Sequence, residues 1–436
     1  MIERSKKLIA TFNNKAALLF SSSSVILSVV KLISGIIIIK WVIPEDVGMW
    51  NSVSLIQSYA AILQLGALSG LNRELPFFIG KGDNEYIVKL AQTANAFITY
   101  LNYILLAVCV LASAYVYFFV SNDIKLLFGI LSIGLITASA FYNTYLNVTY
   151  RANHEFVKLS KIQLYISGFT IVTIVLPYFW NYYGLVLRTV LISIFTTVFV
   201  YAVRPIRVKP KFIKSSFKEL IKTGLPIYIV GYFDDLSKTF NRTILLTIGG
   251  VVVVGYYSPA IAILSGIAML PAAIGQYIYP QMSYNLGKFN DAKKLWKWVW
   301  KSAFAMLLIG FPAVLIGWFT IPFFIEKYFQ NYIPGIFACQ MALIAGVLDS
   351  AGVGINVLNT LKEFKWLTIL LIFKLAAFWF LMQFFASIMS PIDGVSVGLV
   401  IAQFLYLIFS LAVCYKVTKG FDFKKKLLSL KKKNEI

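Results

Sequence analysis

The sequence contains few charged residues and few of the side chains that most often build catalytic or metal sites. Asp, Glu, Lys and Arg make up 13% of its 436 residues, whereas 59% are hydrophobic. It has one histidine, His154, and three cysteines without the paired spacing of a zinc or redox motif. This composition excludes an ordinary water-soluble domain and argues against a disulfide framework or a zinc site. We therefore predict no cofactor and no metal.

Long apolar stretches recur along the whole chain. A helix needs about 20 residues to cross ~30 Å of hydrocarbon, and only helices or closed barrels satisfy their backbone there. Segments such as 251–279 are apolar on every side, whereas barrel strands alternate. The sequence therefore predicts an all-α polytopic membrane protein with about twelve transmembrane helices. They cover roughly residues 16–39, 47–71, 91–120, 124–149, 161–180, 184–203, 222–247, 251–280, 298–321, 334–358, 366–389 and 394–415.

The net charge of +22 predicts an orientation in the membrane rather than nucleic-acid binding. When the N-terminal tail, every second loop and the C-terminal tail are placed on one side, that side holds all but eight of the 40 Lys and Arg residues. Because cytoplasmic loops retain Lys and Arg, both termini are predicted to be cytoplasmic. The basic segments 204–222 and 416–433 are expected to contact anionic membrane lipids. The eight exceptions are Lys31, Lys40, Lys125, Arg188, Lys238, Arg242, Lys327 and Lys374.

The two halves of the chain resemble each other. A shift of 207 residues aligns IGKGDN at 79–84 with LGKFND at 286–291, and it aligns Lys31 with Lys238. An even number of helices per half predicts a parallel repeat, with substrate bound between two six-helix lobes. The predicted organisation is an N-lobe at 1–203, a basic cytoplasmic linker at 204–221, a C-lobe at 222–415 and a basic cytoplasmic tail at 416–436.

Several cationic residues fall inside predicted spans, where a charge costs at least about 2.5 kcal/mol. Lys31 has no acidic residue within one helical turn, so another helix, water or an anionic ligand must meet its charge. Lys238 follows Asp234 by one turn, which leaves open an intrahelical ion pair or a cationic cavity lining. Arg188 lies near the start of a predicted span, and we expect its guanidinium to reach the membrane surface. The candidates for a cationic substrate-binding cavity are Lys31, Arg73, Lys238, Arg242 and Lys374.

Acidic residues inside the predicted spans are candidates for ion coupling. A transporter that couples to protons or sodium ions needs at least one intramembrane carboxylate. The sequence does not select among the candidates, and Asp349 and Lys374 could each either pair structurally or line the cavity. His154 falls in a predicted cytoplasmic loop, where we expect a solvated surface role. The coupling or ion-pair candidates are Asp234, Asp235, Asp349 and Glu74.

Short motifs give the chain a resemblance to a known superfamily. They are VIPEDVGMW at 42–50, GLNREL with GKGD at 70–83, KTGLPIYI at 222–229, VGYYSPA at 254–260 and YPQMS at 279–283. In their order and spacing the chain resembles the multidrug/oligosaccharidyl-lipid/polysaccharide (MOP) exporters, and among them the Wzx-type O-antigen flippases. Only Arg73 matches a recurrent family position; Lys31 and Lys238 are assigned from depth and from the repeat. Lipid II flippases usually have fourteen helices, so that branch is disfavoured.

The resemblance implies a function as well as a fold. It implies two six-helix lobes around a cationic cavity, and export of an undecaprenyl-diphosphate-linked oligosaccharide across the bacterial inner membrane by alternating access. Coupling to protons or sodium ions and a glycan polymerase partner are further expectations. A multidrug or cation exporter is the first alternative, although its cavity would favour acids and aromatics. A membrane glycan-processing enzyme is the second, but the long external loop, acidic pair at a span end or intramembrane histidine it would need is not evident. We therefore predict a transporter rather than an enzyme.

Overall fold

The computed structural model describes residues 2–269, 292–361 and 363–420, with isolated positions 271, 282 and 286. Side chains are described from Leu19 onward within these ranges, apart from 353 and 354. The regular elements in this part of the chain are helices, which confirms the predicted all-α class. Contacts divide the chain into two compact units, unit 1 at residues 1–239 and unit 2 at residues 240–436.

Unit 1 contains nine α-helices among its described residues, and four of them (α1, α5, α6 and α8) are long and apolar enough to be membrane spans. They are α1 (Ile2–Trp41), α2 (Pro44–Val53), α3 (Leu55–Ala60), α4 (Ala67–Lys81), α5 (Asn84–Phe119), α6 (Ile124–Ala152), α7 (Phe156–Val172), α8 (Val175–Ala202) and α9 (Lys214–Ser237).

Unit 2 contains seven helices among its described residues. They are α10 (Phe240–Tyr256), α11 (Ser258–Ile267), α12 (Lys293–Tyr328), α13 (Ile336–Ala351), α14 (Asn356–Thr360), α15 (Phe364–Ile388) and α16 (Pro391–Gly420). Residues 272–281 lie outside the description, and with them the end of the predicted span 251–280 and most of the YPQMS motif.

Eight helical segments of the described chain are long and apolar enough to cross a membrane, or ten when each of two broken helix pairs counts as one span. This confirms a multi-span membrane protein. The count of twelve and the cytoplasmic placement of both termini stay predictions.

The two broken spans have local causes. Leu65 and Gly66 adopt left-handed backbone conformations (φ +49° and +76°), which end one helical segment and start α4. The predicted helix at 222–247 is interrupted after Ser237, so α9 and α10 are separate helices. Ser237 and Thr239 donate hydrogen bonds to the carbonyls of Asp234 and Leu236, which competes with continuation of the helical backbone ladder.

The core of unit 1 joins α4, α5, α6 and α9 through buried residues such as Leu71, Leu90, Leu146 and Leu220. Gly224 permits a close approach of α9 to α4, because a Cβ at this position would lie only 2.0 Å from the carbonyl oxygen of Gly66. Residues 222–239 therefore pack within unit 1, whereas the sequence-based division assigns them to the C-lobe. The two lobes themselves, divided at 204–221, stay a prediction.

Two further packing features position the candidate site. Helix α1 packs along α7 and also contacts α8, so it faces two other helices of unit 1. Helix α8 changes direction at Asn181, whose φ is +44°. The regular part of α8 after this kink carries Arg188. The predicted boundary at 181–183 is thus a kink inside α8, and the break between α7 and α8 falls at Thr173 and Ile174.

Candidate functional site

Lys31 lies on α1 with its side chain exposed on unit 1. The hydroxyl of Ser34, one turn later, donates a 3.0 Å hydrogen bond to the Lys31 carbonyl. Among the residues that the structure describes, no carboxylate lies within ion-pair distance of the Lys31 ammonium. The absence of an acidic neighbour on its own helix, noted in the sequence, is therefore matched by the described tertiary environment.

Arg188 lies beside Ser34 and is almost fully buried, with 8% of its surface exposed. Its Nη2 donates to the Ser34 hydroxyl at 2.9 Å and to the Thr170 carbonyl at 3.3 Å, so it connects α8 with α1 and α7. Its Nε is buried without a hydrogen-bond acceptor in the described part of the chain. The prediction that Arg188 reaches the membrane surface is wrong, because its guanidinium turns inward to these two acceptors.

Two positive charges thus share one region of unit 1. Lys31 and Arg188 are close enough for their charges to repel each other. The three helices around them supply no compensating carboxylate, since residues 19–41, 156–172 and 175–202 contain neither Asp nor Glu. A buried, unpaired charge in a membrane protein is costly and is a functional-site hypothesis by default. We call Lys31, Ser34, Thr170 and Arg188 the α1–α8 cation site.

Lys238, unlike the cations of the α1–α8 cation site, has carboxylates beside it. Its ammonium lies 2.9 Å from an Asp234 carboxylate oxygen and 3.1 Å from one of Asp235. All three residues are at the C-terminal end of α9, where Lys238 is the capping residue and is half exposed. The sequence leaves open an intrahelical ion pair or a cationic cavity lining for Lys238, and the structure contains the ion pair.

The remaining candidates of unit 1 lie on α4. Arg73 is exposed there, and no ion pair forms between it and the described residues. Glu74 is half-buried and lies within electrostatic range of the Glu219 carboxylate on α9. Neither residue belongs to the α1–α8 cation site, so their roles stay predictions.

Three of the predicted residues lie on helices of unit 2. Lys374 on α15 is 3% exposed, with its ammonium 5.5 Å from the Phe378 ring centre and 5.2 Å from that of Tyr406. Asp349 on α13 accepts a 2.9 Å hydrogen bond from the side-chain amide of Gln403. Arg242 on α10 is half-buried.

The break after Ser237 also changes one predicted arrangement. The one-turn spacing of Asp234, Lys238 and Asn241 in the sequence predicts that the three share one helical stripe, but Asn241 belongs to α10 rather than α9. It is buried there, and its side-chain amide donates to the Tyr257 hydroxyl at 3.3 Å. Asn241 is thus engaged in the packing of unit 2. The structure brings Lys238, Asp234 and Asp235 together, but it does not place Asn241 on their helix.

The fold is similar to that of solved transporters. An inward-facing multidrug resistance MATE family transporter of the MOP superfamily aligns with a TM-score of 0.75 at 17% identity, over 92% of this chain and 96% of that chain. The lipid II flippase MurJ, in an inward closed conformation, aligns with a TM-score of 0.68 at 15% identity, over 91% of this chain and 87% of that chain. At these identities the similarity shows the fold.

Sequence comparisons give the family. A candidate O-antigen transporter from Shigella flexneri is 28% identical over 141 residues, and the alignment covers 32% of this chain and 33% of that protein. The family described as "Polysaccharide biosynthesis protein" matches residues 40–331, which is well over half of the chain. This match includes Arg73, Lys238 and the whole of α8, and it leaves Lys31 outside. The chain therefore belongs to the polysaccharide biosynthesis protein family, on a fold shared with MOP-superfamily transporters.

Proposed function

We propose that this protein is a flippase that moves an undecaprenyl-diphosphate-linked oligosaccharide repeat unit from the cytoplasmic to the outer face of the bacterial inner membrane by alternating access. The family, the name of the Shigella relative and the fold shared with a lipid II flippase all support a lipid-linked glycan as cargo. The observation that carries the proposal is the α1–α8 cation site. Its two cations lie among the helical segments 19–41, 156–172 and 175–202, which contain no carboxylate, and this suits a cargo whose charged group is an anion.

The chemistry of the cargo explains what the protein must supply. A diphosphate must be kept away from hydrocarbon, whereas its prenyl chain is stable in lipid. Lys and Arg bind phosphate oxygens through charge-assisted hydrogen bonds. In this proposal Lys31 is the first contact, and Arg73, Lys238, Arg242 and Lys374 are further candidates along the path. A glycan polymerase that receives the exported unit is the expected partner.

Ion coupling is the second part of the proposal. Asp234 and Asp235 hold the Lys238 ammonium, so binding of a proton or a sodium ion to either carboxylate weakens the ion pair. Lys238 then becomes available to an anionic cargo, which links ion binding to cargo binding. Asp349 and Glu74 are the other coupling candidates, and both are half-buried.

The experiment that tests the function measures glycan export in cells that depend on this protein. We expect Lys31→Ala and Lys238→Ala each to reduce the amount of surface glycan, while the amount of protein in the membrane stays unchanged. Lys40→Ala is the matched control, because Lys40 is an exposed lysine near the end of the same helix, α1. Full export by both the Lys31 and the Lys238 variants would overturn the cationic-cavity assignment.

A multidrug exporter is the second candidate, because the MATE transporter aligns with a TM-score of 0.75. A cavity for organic cations would favour acidic residues, and the α1–α8 cation site has the opposite sign. Efflux of a cationic dye from cells that overproduce the protein separates the two functions. We expect no efflux above that of cells that lack the protein, and efflux above that level that survives the Lys31→Ala substitution would favour the exporter.

A further inference from the structure

We infer that Arg188 and Lys31 form a subsite on unit 1 for the diphosphate group, in which Arg188 exchanges the Ser34 hydroxyl for a phosphate oxygen. The inference deepens the proposed function and rests on it. It assigns the charged part of the cargo to a position that includes a residue outside the cationic candidates named from the sequence.

Arg188 uses only part of its hydrogen-bond donors in the described structure. A guanidinium has five N–H donors, and here the described acceptors are one hydroxyl and one backbone carbonyl, both bound by Nη2. The buried Nε has no acceptor among the described residues. Both acceptors are neutral, so neither compensates the positive charge. A phosphate oxygen would supply the charge and the missing acceptor together.

A purely structural role explains this arrangement less well. An arginine that only tied α8 to α1 and α7 could be replaced by a neutral donor, without the cost of burying a charge. Charged residues in membrane spans pair with one another or with backbone carbonyls. Arg188 has one such carbonyl, that of Thr170, but α1 from Leu19 onward, α7 and α8 contain no carboxylate to neutralise its charge. The charged groups on these helices are all positive: Lys31, Lys40, Lys158, Lys161 and Arg188. The position therefore keeps a positive charge that this part of the protein does not neutralise.

The exposures of the two cations suggest how the subsite is reached. Lys31 is exposed and Arg188 is buried behind Ser34, so an anion meets the lysine first. Rotation of the Arg188 side chain away from Ser34 then brings its guanidinium N–H groups to the anion. A diphosphate has several oxygens on two phosphorus atoms, so it can contact both side chains at once. A single phosphate has fewer oxygens to share between them, so we expect weaker binding of a monophosphate.

The test uses the full chain in phosphatidylcholine nanodiscs, with farnesyl diphosphate as the probe. We expect Arg188→Met to weaken farnesyl diphosphate binding at least about tenfold, since a hydrogen bond to a charged group contributes about 1.5 kcal/mol or more. Farnesyl monophosphate should bind more weakly to the unsubstituted protein and be less affected by the substitution. Lys40→Met, on the same helix as Lys31, is the matched control and should bind the diphosphate normally.

A second measurement separates ligand binding from structure. Without ligand, Arg188→Met should melt at the same or a higher temperature than the unsubstituted protein, because it removes an unpaired buried charge. Farnesyl diphosphate should raise the melting temperature of the unsubstituted protein but not that of the variant. A lower melting temperature combined with unchanged diphosphate affinity would show a structural arginine and overturn the inference.

If Arg188→Met does not fold, farnesyl diphosphate binding is measured with Arg188→Lys and Ser34→Ala instead. The lysine retains the charge and should bind more tightly than any neutral substitution that folds. Ser34→Ala removes the hydroxyl that competes for Nη2, so we expect equal or tighter binding of farnesyl diphosphate. Tenfold weaker binding by Ser34→Ala would contradict the exchange.

A lipid headgroup is the other source of the same chemistry. Phosphatidylglycerol added to the nanodiscs should leave diphosphate binding nearly unchanged, and full displacement would overturn the diphosphate assignment. The outcome also separates this inference from the proposed function. Normal export by Arg188→Met alongside failed export by Lys31→Ala would overturn only the subsite. Arg188-dependent binding in a protein that exports no glycan would overturn only the function.

Discussion

The α1–α8 cation site and the end of α9 place cations in opposite surroundings within the same unit. At the end of α9, the Lys238 ammonium is neutralised by two carboxylates less than one and a half turns away in sequence. In the α1–α8 cation site, Lys31 and Arg188 come from different helices, and the helices around them supply no acid. At the end of α9, neighbouring residues neutralise the positive charge. At the α1–α8 cation site, only another molecule or a distant residue can neutralise it.

The difference indicates where an anionic cargo would gain most. Binding at Lys238 must compete with Asp234 and Asp235, and both carboxylates repel a diphosphate. Binding at the α1–α8 cation site replaces a neutral hydroxyl and removes a repulsion between two cations. We therefore expect the two sites to contribute unequally to transport.

The largest expected effect comes from giving the α1–α8 cation site an acidic partner of its own, as at the end of α9. Lys31→Glu places a carboxylate near Arg188, which can then form an internal ion pair. We expect glycan export to fall about a hundredfold, because two charged contacts to the diphosphate are lost at about tenfold each. The melting temperature without cargo should rise. Export assays and thermal unfolding of the same variant check both expectations, and normal export by Lys31→Glu would remove the distinction between the sites.

Lys125 provides a third case, in which a cation has a buried acidic partner. Its ammonium lies 2.5 Å from the Asp46 carboxylate, and the Asp46 side chain is only 4% exposed. Lys125→Met should destabilise the protein by about 2 kcal/mol, because it leaves a buried carboxylate without its charged partner. This change in stability is opposite in direction to the one expected for Arg188→Met. Unfolding in denaturant measures both, with Lys40→Met as the control, and a stabilised Lys125→Met would contradict this account of paired and unpaired charges.

The membrane fold could be predicted well from the sequence because its signal is local. Span length and apolarity depend on about 20 consecutive residues, and the family motifs are short and contiguous. The errors fall at breaks inside the predicted spans: at Leu65, and in α8 at Asn181, where the backbone has a positive φ, and after Ser237, where α9 ends. Neither the left-handed turn at Leu65 nor the hydroxyl bonds that end α9 change the mean hydropathy of a span. Hydropathy therefore predicts that a span is present, but it does not predict where the helix breaks.

The candidate site was predictable only where its partners are neighbours in sequence. The Asp234–Lys238 pair follows from one-turn spacing, and the structure describes it. The proximity of Arg188 to Ser34 joins residues 154 positions apart, so its inward orientation needs the tertiary packing of α1 against α8. One sequence signal was available: α8 has a single charged residue and α1 has no nearby acid to receive it. The partner of the Arg188 charge must therefore lie outside α8.

A smaller effect is expected from making the end of α9 resemble the α1–α8 cation site. The double substitution Asp234→Asn/Asp235→Asn leaves the Lys238 ammonium without a carboxylate. We expect farnesyl diphosphate to bind about threefold more tightly, since exposed ion pairs of this kind contribute about 0.5 to 1 kcal/mol. Export should lose its dependence on the ion gradient if these carboxylates couple transport. Unchanged affinity together with unchanged ion dependence would remove Lys238 from the cargo path.

The smallest expected effect concerns stability at the same place. Asp234→Asn alone should change the free energy of unfolding by less than about 0.5 kcal/mol, because the pair is exposed and Asp235 still contacts Lys238. Added salt should reduce even this difference, as it screens surface charges. Denaturant unfolding at low and high ionic strength measures the change, with Asp235→Asn as the matched variant. A loss of several kcal/mol would mean that Asp234 stabilises the helix end itself. The two sites of unit 1 would then differ in structural importance as well as in charge compensation.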